Sequence, residues 1–207
     1  MAATREATTE PAGDAESSLG SGTHVVFRVG TVRYALPVRR VLRVLPFPPV
    51  TRTPAAAAHM LGVFAHGGRA AALWDLHVLF GARDDPPRSP PVLLLETPEG
   101  LLGLAVTFVE TVAHVGQAVT RAPRPDDVDT QALPAALAVI VKDASPPEPQ
   151  KADDVPTPTG WTLAGATAKL ARADPADLER LLPFALLDAA RIVALGTGRP
   201  LPGSDAP

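Results

Sequence analysis

The sequence predicts a mainly β protein of the barrel or sandwich class. Three observations carry that prediction: short apolar runs with period two, turn residues recurring at roughly 8 to 12 residue intervals, and helical spacing confined to brief stretches. At 207 residues the chain can bury a sizeable core as one domain or two small ones.

Taken in order, residues 1–22 are small and polar, and are expected to form a disordered tail because they cannot bury enough surface to offset ordering entropy. From His24 the pattern changes. Val25, Phe27 and Val29 fall on one face, and after Gly30-Thr31 so do Val32, Tyr34 and Leu36, which predicts a hairpin with a two-residue Gly-X loop. Pro37 ends its second arm; Val38, Val41, Val44 and Leu45 continue through a turn into a third short strand, closed by Pro46-Phe47-Pro48-Pro49. The alanine-rich residues 55–60 have the spacing of one or two helical turns.

Leu61, Val63 and Ala65 then run up to Gly67-Gly68 and residues 69–74 run back, a second hairpin whose glycines supply positive φ. Asp75 is placed to cap a short helix opening at Leu76, and Gly81 to stop it in the left-handed conformation. After a proline-rich connection, residues 92–96 and 101–108 flank Thr97-Pro98-Glu99-Gly100, a third hairpin. Residues 109–119 add a short element, and 133–141 form an apolar run without clear period. Residues 143–158 read as a proline-rich loop or insertion interrupting the domain. Residues 161–170 alternate small and apolar residues, 174–182 read as a helix with Pro175 in its first turn, 184–187 as a last strand and 188–195 as a closing helix, before a C-terminal tail over 198–207.

A net charge of −3 and the lack of aromatics interleaved with basic residues argue against nucleic acid as a partner. No run approaches the roughly 20 apolar residues that span a bilayer, and residues 1–20 have no signal-peptide pattern, so the expectation is a cytoplasmic protein with no membrane insertion. The absence of cysteine excludes disulfides and thiolate chemistry and fits a reducing compartment.

The local signatures of catalysis are missing: there is no nucleophile elbow, zincin motif, phosphate loop or dinucleotide fingerprint. The histidines at 24, 59, 66, 77 and 114 lack metal-ligand spacing. His66 beside the glycine turn reads as a general base or as an ordinary surface histidine, and Asp75 as an acid or as a helix cap. Trp74 and Trp161 are expected in the core. Arg39, Arg40 and Arg43, with Arg33 and Arg52 nearby, form the densest basic cluster, either a solvated face or a docking surface for an acidic partner.

The order FRVGTVRYALPVRRVLRVL, HMLGVFAHGGRAAALWDLHVLFG, PVLLLETPEGLLGLAVTFVETV and PFALLDAARIV resembles the CheW-like domain of chemotaxis coupling proteins, over about residues 24–195 less the proline-rich loop. The resemblance rests on that order and on Gly62, Gly68, Asp75-Leu76 and Gly81. It implies two small five-stranded β-barrels side by side with an apolar groove between them, in a domain spanning residues 23–197. It also implies a non-enzymatic adaptor that couples a chemoreceptor signalling tip, or a substitute regulator, to the regulatory domain of a CheA-type histidine kinase, without a cofactor. Typical members carry Arg-Gly at the second hairpin tip, where this chain has Gly67-Gly68 followed by Arg69, and many carry an acidic residue where it has Arg43. The implied protein-binding residues are Val41, Arg43, Arg39, Arg40, Gly67, Gly68 and Arg69. The two departures leave open a scaffold redirected to another motility, polarity or regulatory partner; an enzyme of unlisted mechanism is the third class.

Overall fold

The computed structural model describes residues 21–54, 56–116, 118–129, 131–143 and 183–202. Most of the expected N-terminal tail and of the proline-rich loop, Trp161 and the helix expected over 174–182 lie outside the described residues. Eleven strands and two α-helices are described: β1 (Gly22–Val29), β2 (Val32–Pro37), β3 (Val41–Leu45), β4 (Met60–His66), β5 (Arg69–Asp75), α1 (Leu76–Phe80), β6 (Val92–Thr97), β7 (Gly100–Ala105), β8 (Phe108–Val115), β9 (Ala118–Arg121), β10 (Ala136–Asp143), β11 (Phe184–Leu187) and α2 (Ala189–Thr197). One-turn 3-10 segments at Val38–Arg40 and Leu133–Ala135 lead into β3 and β10.

The strands form two sheets, in the orders β8-β1-β2-β11-β10-β9 and β3-β6-β7-β5-β4. The first has one strand more than the resemblance implies. Its edge strands β8 and β9 are consecutive in the chain and take opposite edges, β8 beside β1 and β9 beside β10. The second sheet is joined by the continuation of β3: Thr51 exchanges backbone hydrogen bonds of 2.9 and 2.8 Å with Val63 on its far edge strand, β4. That crossing requires Gly62, whose φ is +142° and where a Cβ would stand 2.2 Å from the Thr51 carbonyl oxygen.

Buried side chains separate into three clusters. Val26, Ala35, Ala113, Val115, Ile140, Phe184 and Leu186 fill the inside of the first sheet, and Phe64, Ala71, Leu73, Val92, Leu94, Leu101 and Ala105 the inside of the second. The alternate positions on the same strands, among them Phe27, Tyr34, Leu93, Leu95, Leu102 and Leu104, form a third cluster shared by both sheets and by α1 and α2. Central strands buried on both faces need continuous apolar sequence, which is why VLLL, LLGLA and FALL show no alternation. The surface between the two sheets is thus largely a filled core rather than an open groove.

The first two predicted hairpins form as expected, with Val29 opposite Val32, Phe27 opposite Tyr34 and His66 opposite Arg69. Gly67 and Gly68 have φ of +56° and +76°, the pair of positive angles that a tight two-residue turn needs. Asp75 caps α1 by accepting the His77 N–H at 2.9 Å, and Gly81 ends it at φ +69°. Asp188 caps α2 in the same way through Arg191 N–H.

Two expectations are corrected. Residues 56–59 form irregular backbone and a turn and Met60 already belongs to β4, with no helix, because backbone bonds of Thr51 to Val63 and of Asp75 to His59 tie the segment to β4 and β5 from both ends. The return arm of the third hairpin stops at Ala105 and does not reach 108: Val106 N–H donates to Pro91 and Thr107 N–H to Arg28, so the chain crosses there from one sheet to the other.

Trp74 anchors the junction. It is 8 % exposed, its ring and that of His59 lie nearly perpendicular with centroids 5.1 Å apart, and α2 packs against it at Gly196, where a Cβ would fall 2.3 Å from the indole.

Candidate protein-docking surface

The implied binding residues occupy one end of the second sheet. The register places Val41, Leu95, Leu102, Ala72 and Val63 in one row across β3, β6, β7, β5 and β4. The turn with Arg39 and Arg40 lies just before this row on β3, and the tip Gly67-Gly68 lies beyond it on the β4–β5 hairpin. They share an end of the sheet but are three strand spacings apart, roughly 14 Å along the curved surface.

Local structure decides what each side chain offers. A bulge between Val41 and Arg43 breaks the β3–β6 register, so that Val41 pairs with Leu95, Arg43 with Leu94 and Leu42 is extra. Val41 therefore turns inward and is 3 % exposed, while Leu42 turns out and is 43 % exposed. The Val41 side chain is thus packed in the shared core, and Leu42 is the apolar side chain that this end of β3 turns outward. Arg43 is half-buried, and Arg39 and Arg40 are exposed.

At the hairpin tip, Gly67 and Gly68 are exposed with open space around them. Arg69 does not present a free guanidinium, since its Nη1 donates to Glu96 Oε1 on β6 at 2.9 Å. Both partners are half exposed, so the pair contributes about 0.2 to 1 kcal/mol, but it still occupies the group.

Sequence reasoning missed the adjoining cleft. Phe47, Pro48, Pro49, Val50, Arg52 and Leu61 line an open depression of about 460 Å³ where the continuation of β3 crosses toward β4. Phe47 is 36 % exposed, and Arg52 supplies one cation to the same lining. The signal was the Pro46-Phe47-Pro48-Pro49 run: prolines cannot extend the ladder, so they hold an aromatic ring at the surface instead of ending a strand inside the core.

The buried polar groups serve structure. His77 Nε2 faces Thr107 Oγ1 at 2.8 Å and accepts the Gly30 N–H at 3.3 Å, while Gly30 also donates to Thr107 Oγ1 at 2.7 Å. With Asp75 Oδ1 3.7 Å from His77 Nδ1, this superficially resembles an acid–base–hydroxyl relay. Each member is already engaged by backbone: Asp75 caps α1 and Thr107 holds the β1–β2 turn. Tyr34 donates from its hydroxyl to Asp129 Oδ2 at 2.9 Å, and burial pushes both groups upward from their usual pKa ranges. Burial pushes His24 down to about 4, aided by the Arg39 and His114 charges against its hydrogen bond to the Gly22 carbonyl. Among the described residues no group of three or more His, Asp or Glu side chains could hold a metal ion, and no helix is long and apolar enough to cross a membrane.

With this geometry in place, the decisive finding is that the family profile of the CheW-like domain matches residues 23–143. The chain belongs to the CheW-like domain family. Among solved structures it is similar to the scaffolding protein TtCheW from Thermoanaerobacter tengcongensis, at 21 % identity and a TM-score of 0.52 over 59 % of this chain and 84 % of that one. At this identity the likeness bears on the fold: mainly β, two sheets, few helices. No curated protein matches the chain. The CheW-like fold continues past the matched residues, because β11 inserts between β2 and β10 and α2 packs on Trp74.

Proposed function

We propose that this CheW-like chain is a non-enzymatic signalling adaptor that joins an input protein to the regulatory domain of a CheA-type histidine kinase in the cytoplasm. The observation that carries the reading is the CheW-like match over residues 23–143 on a two-sheet fold, and the fold it shares with a scaffolding protein supports it. The polar groups inside the molecule tie strands and helices together, and its apolar cleft and basic turn face outward. In this reading the Phe47 cleft takes the kinase by apolar contact, and the 3-10 turn with β3 takes the input protein.

A specific observation favours redirected input over an ordinary chemoreceptor contact. Where typical members present an arginine at the hairpin tip, this chain has Gly67, and the neighbouring Arg69 is engaged by Glu96. The Arg43 position carries the opposite charge from that expected for the family. Losing one charged contact in a buried interface costs about 2 to 5 kcal/mol, enough to abolish a weak complex.

Affinity purification of wild type beside Arg43→Glu from the native cytosol tests the reading. A histidine kinase recovered with both proteins, and an input protein recovered with wild type alone, is the expected outcome. Recovery of no kinase with either protein contradicts the adaptor assignment.

A further inference from the structure

Apart from histidines, every ionisable side chain from Ser17 to Trp74 is an arginine or Tyr34, although all 22 acidic residues of this net-negative chain lie elsewhere. Three of the seven arginines in this stretch meet carboxylates in the fold, two of them sharing one. Arg28 and Arg33 share Glu110 at 3.1 and 2.9 Å, and Arg69 pairs with Glu96. Arg39, Arg40 and Arg52 form no ion pair among the described residues and are exposed.

Arg39 and Arg40 adjoin the bulge that turns Leu42 outward, so a pair of cations stands beside one exposed aliphatic side chain. Leu42 is one of five large apolar side chains exposed among the described residues, and it follows two exposed, unpaired arginines along the chain. The 3-10 geometry also fixes the backbone on which Arg39 and Arg40 sit, which lowers the entropy cost of using them in recognition.

We infer that the Arg39–Arg40–Leu42 face docks an acidic protein segment in which carboxylates flank an apolar side chain. This rests on the adaptor reading and deepens it by stating the chemistry of the input partner. Carboxylates would pair with the two guanidinium groups at the rim while the apolar side chain covers Leu42. The charge sign excludes a basic partner for this face, because two desolvated like charges meeting there would oppose association.

The test places a photo-crosslinking amino acid at Leu42 in the full chain, irradiates it in native cytosol, and sequences the cross-linked peptide by mass spectrometry. The same is done with Arg39→Glu/Arg40→Glu, after circular dichroism has checked that its fold is intact, and kinase recovery is recorded in every sample. The expected result is an adduct on a net-acidic segment containing an apolar residue. Its yield falls at least about tenfold in the double variant and severalfold as salt rises from about 0.05 to 0.5 M, while kinase recovery is unchanged. An adduct on a neutral or basic segment, on nucleic acid, or on a second copy of this chain overturns the inference, as does an adduct insensitive to charge reversal or no adduct above the dark control. Loss of kinase from all samples, with the acidic adduct retained, sinks the adaptor reading and leaves the docking chemistry standing.

Discussion

His24 shows how a single residue can carry a measurable consequence that its sequence position does not announce. It opens the first apolar face and reads as the edge of a strand, yet the fold buries it to 2 % exposure between β2 and β8. Burial lowers its pKa to about 4 from an ordinary value of 6.5. The folded chain therefore binds the proton less readily than the unfolded chain, so stability is fully present above pH 6.5 and is lost as pH falls toward 4. A gap of this size corresponds to about 3 kcal/mol. Unfolding free energies measured in urea at pH 7 and pH 4 should fall more steeply for wild type than for His24→Gln, by about that amount. Parallel curves for the two proteins would mean that His24 is not held neutral. The sequence identified Asp75 as a cap from its place before an apolar turn, because capping is local chemistry; the burial of His24 was not legible, since it depends on strands more than 80 residues apart.

Among the elements, hairpins were readable where turn chemistry is local, and less so where strands cross between sheets. Gly67-Gly68 announces its turn, whereas the switch at Val106–Thr107 is set by bonds to Pro91 and Arg28 that no local pattern contains. Alanine content at 55–60 pointed to a helix because helix propensity is a local preference, and the backbone bonds that tie this segment to β4 and β5 override it. The element most exposed to test is the crossing of the β3 continuation over β4. Gly62→Ala adds a methyl group 2.2 Å from the Thr51 carbonyl at a backbone angle that L residues rarely adopt. It should destabilise the protein by about 3 kcal/mol, read as a lowered midpoint in urea unfolding. Gly67→Ala, with open space at its Cβ and φ +56°, should cost about 1 kcal/mol. Equal effects from the two substitutions would mean that the crossing does not constrain the chain.

On the scale of the whole molecule, two sheets share one core and leave their distinctive chemistry on the outside of the second sheet. The mainly β class and the CheW-like order of elements were legible because the family's pattern lies in the spacing of hairpins and caps. The proposed docking surface was legible only in part. The arginine cluster stood out as charge, but the inward turn of Val41, the outward turn of Leu42 and the pairing of Arg69 with Glu96 follow from a bulge and a cross-strand contact. The cleft was missed because proline punctuation reads equally as the end of a strand or as a support for an exposed ring.

The proposed coupling of this outer surface to a histidine kinase can be measured directly. The most direct measurement is a calorimetric titration of the full chain with the purified regulatory domain of the CheA-type kinase from the same cell, using wild type, Arg39→Glu/Arg40→Glu and Phe47→Asp. Wild type should bind saturably, the arginine variant should bind as wild type does, and Phe47→Asp should bind at least about tenfold more weakly with its melting temperature preserved. Absence of binding by folded wild type, or full binding by Phe47→Asp, would contradict the proposed coupling.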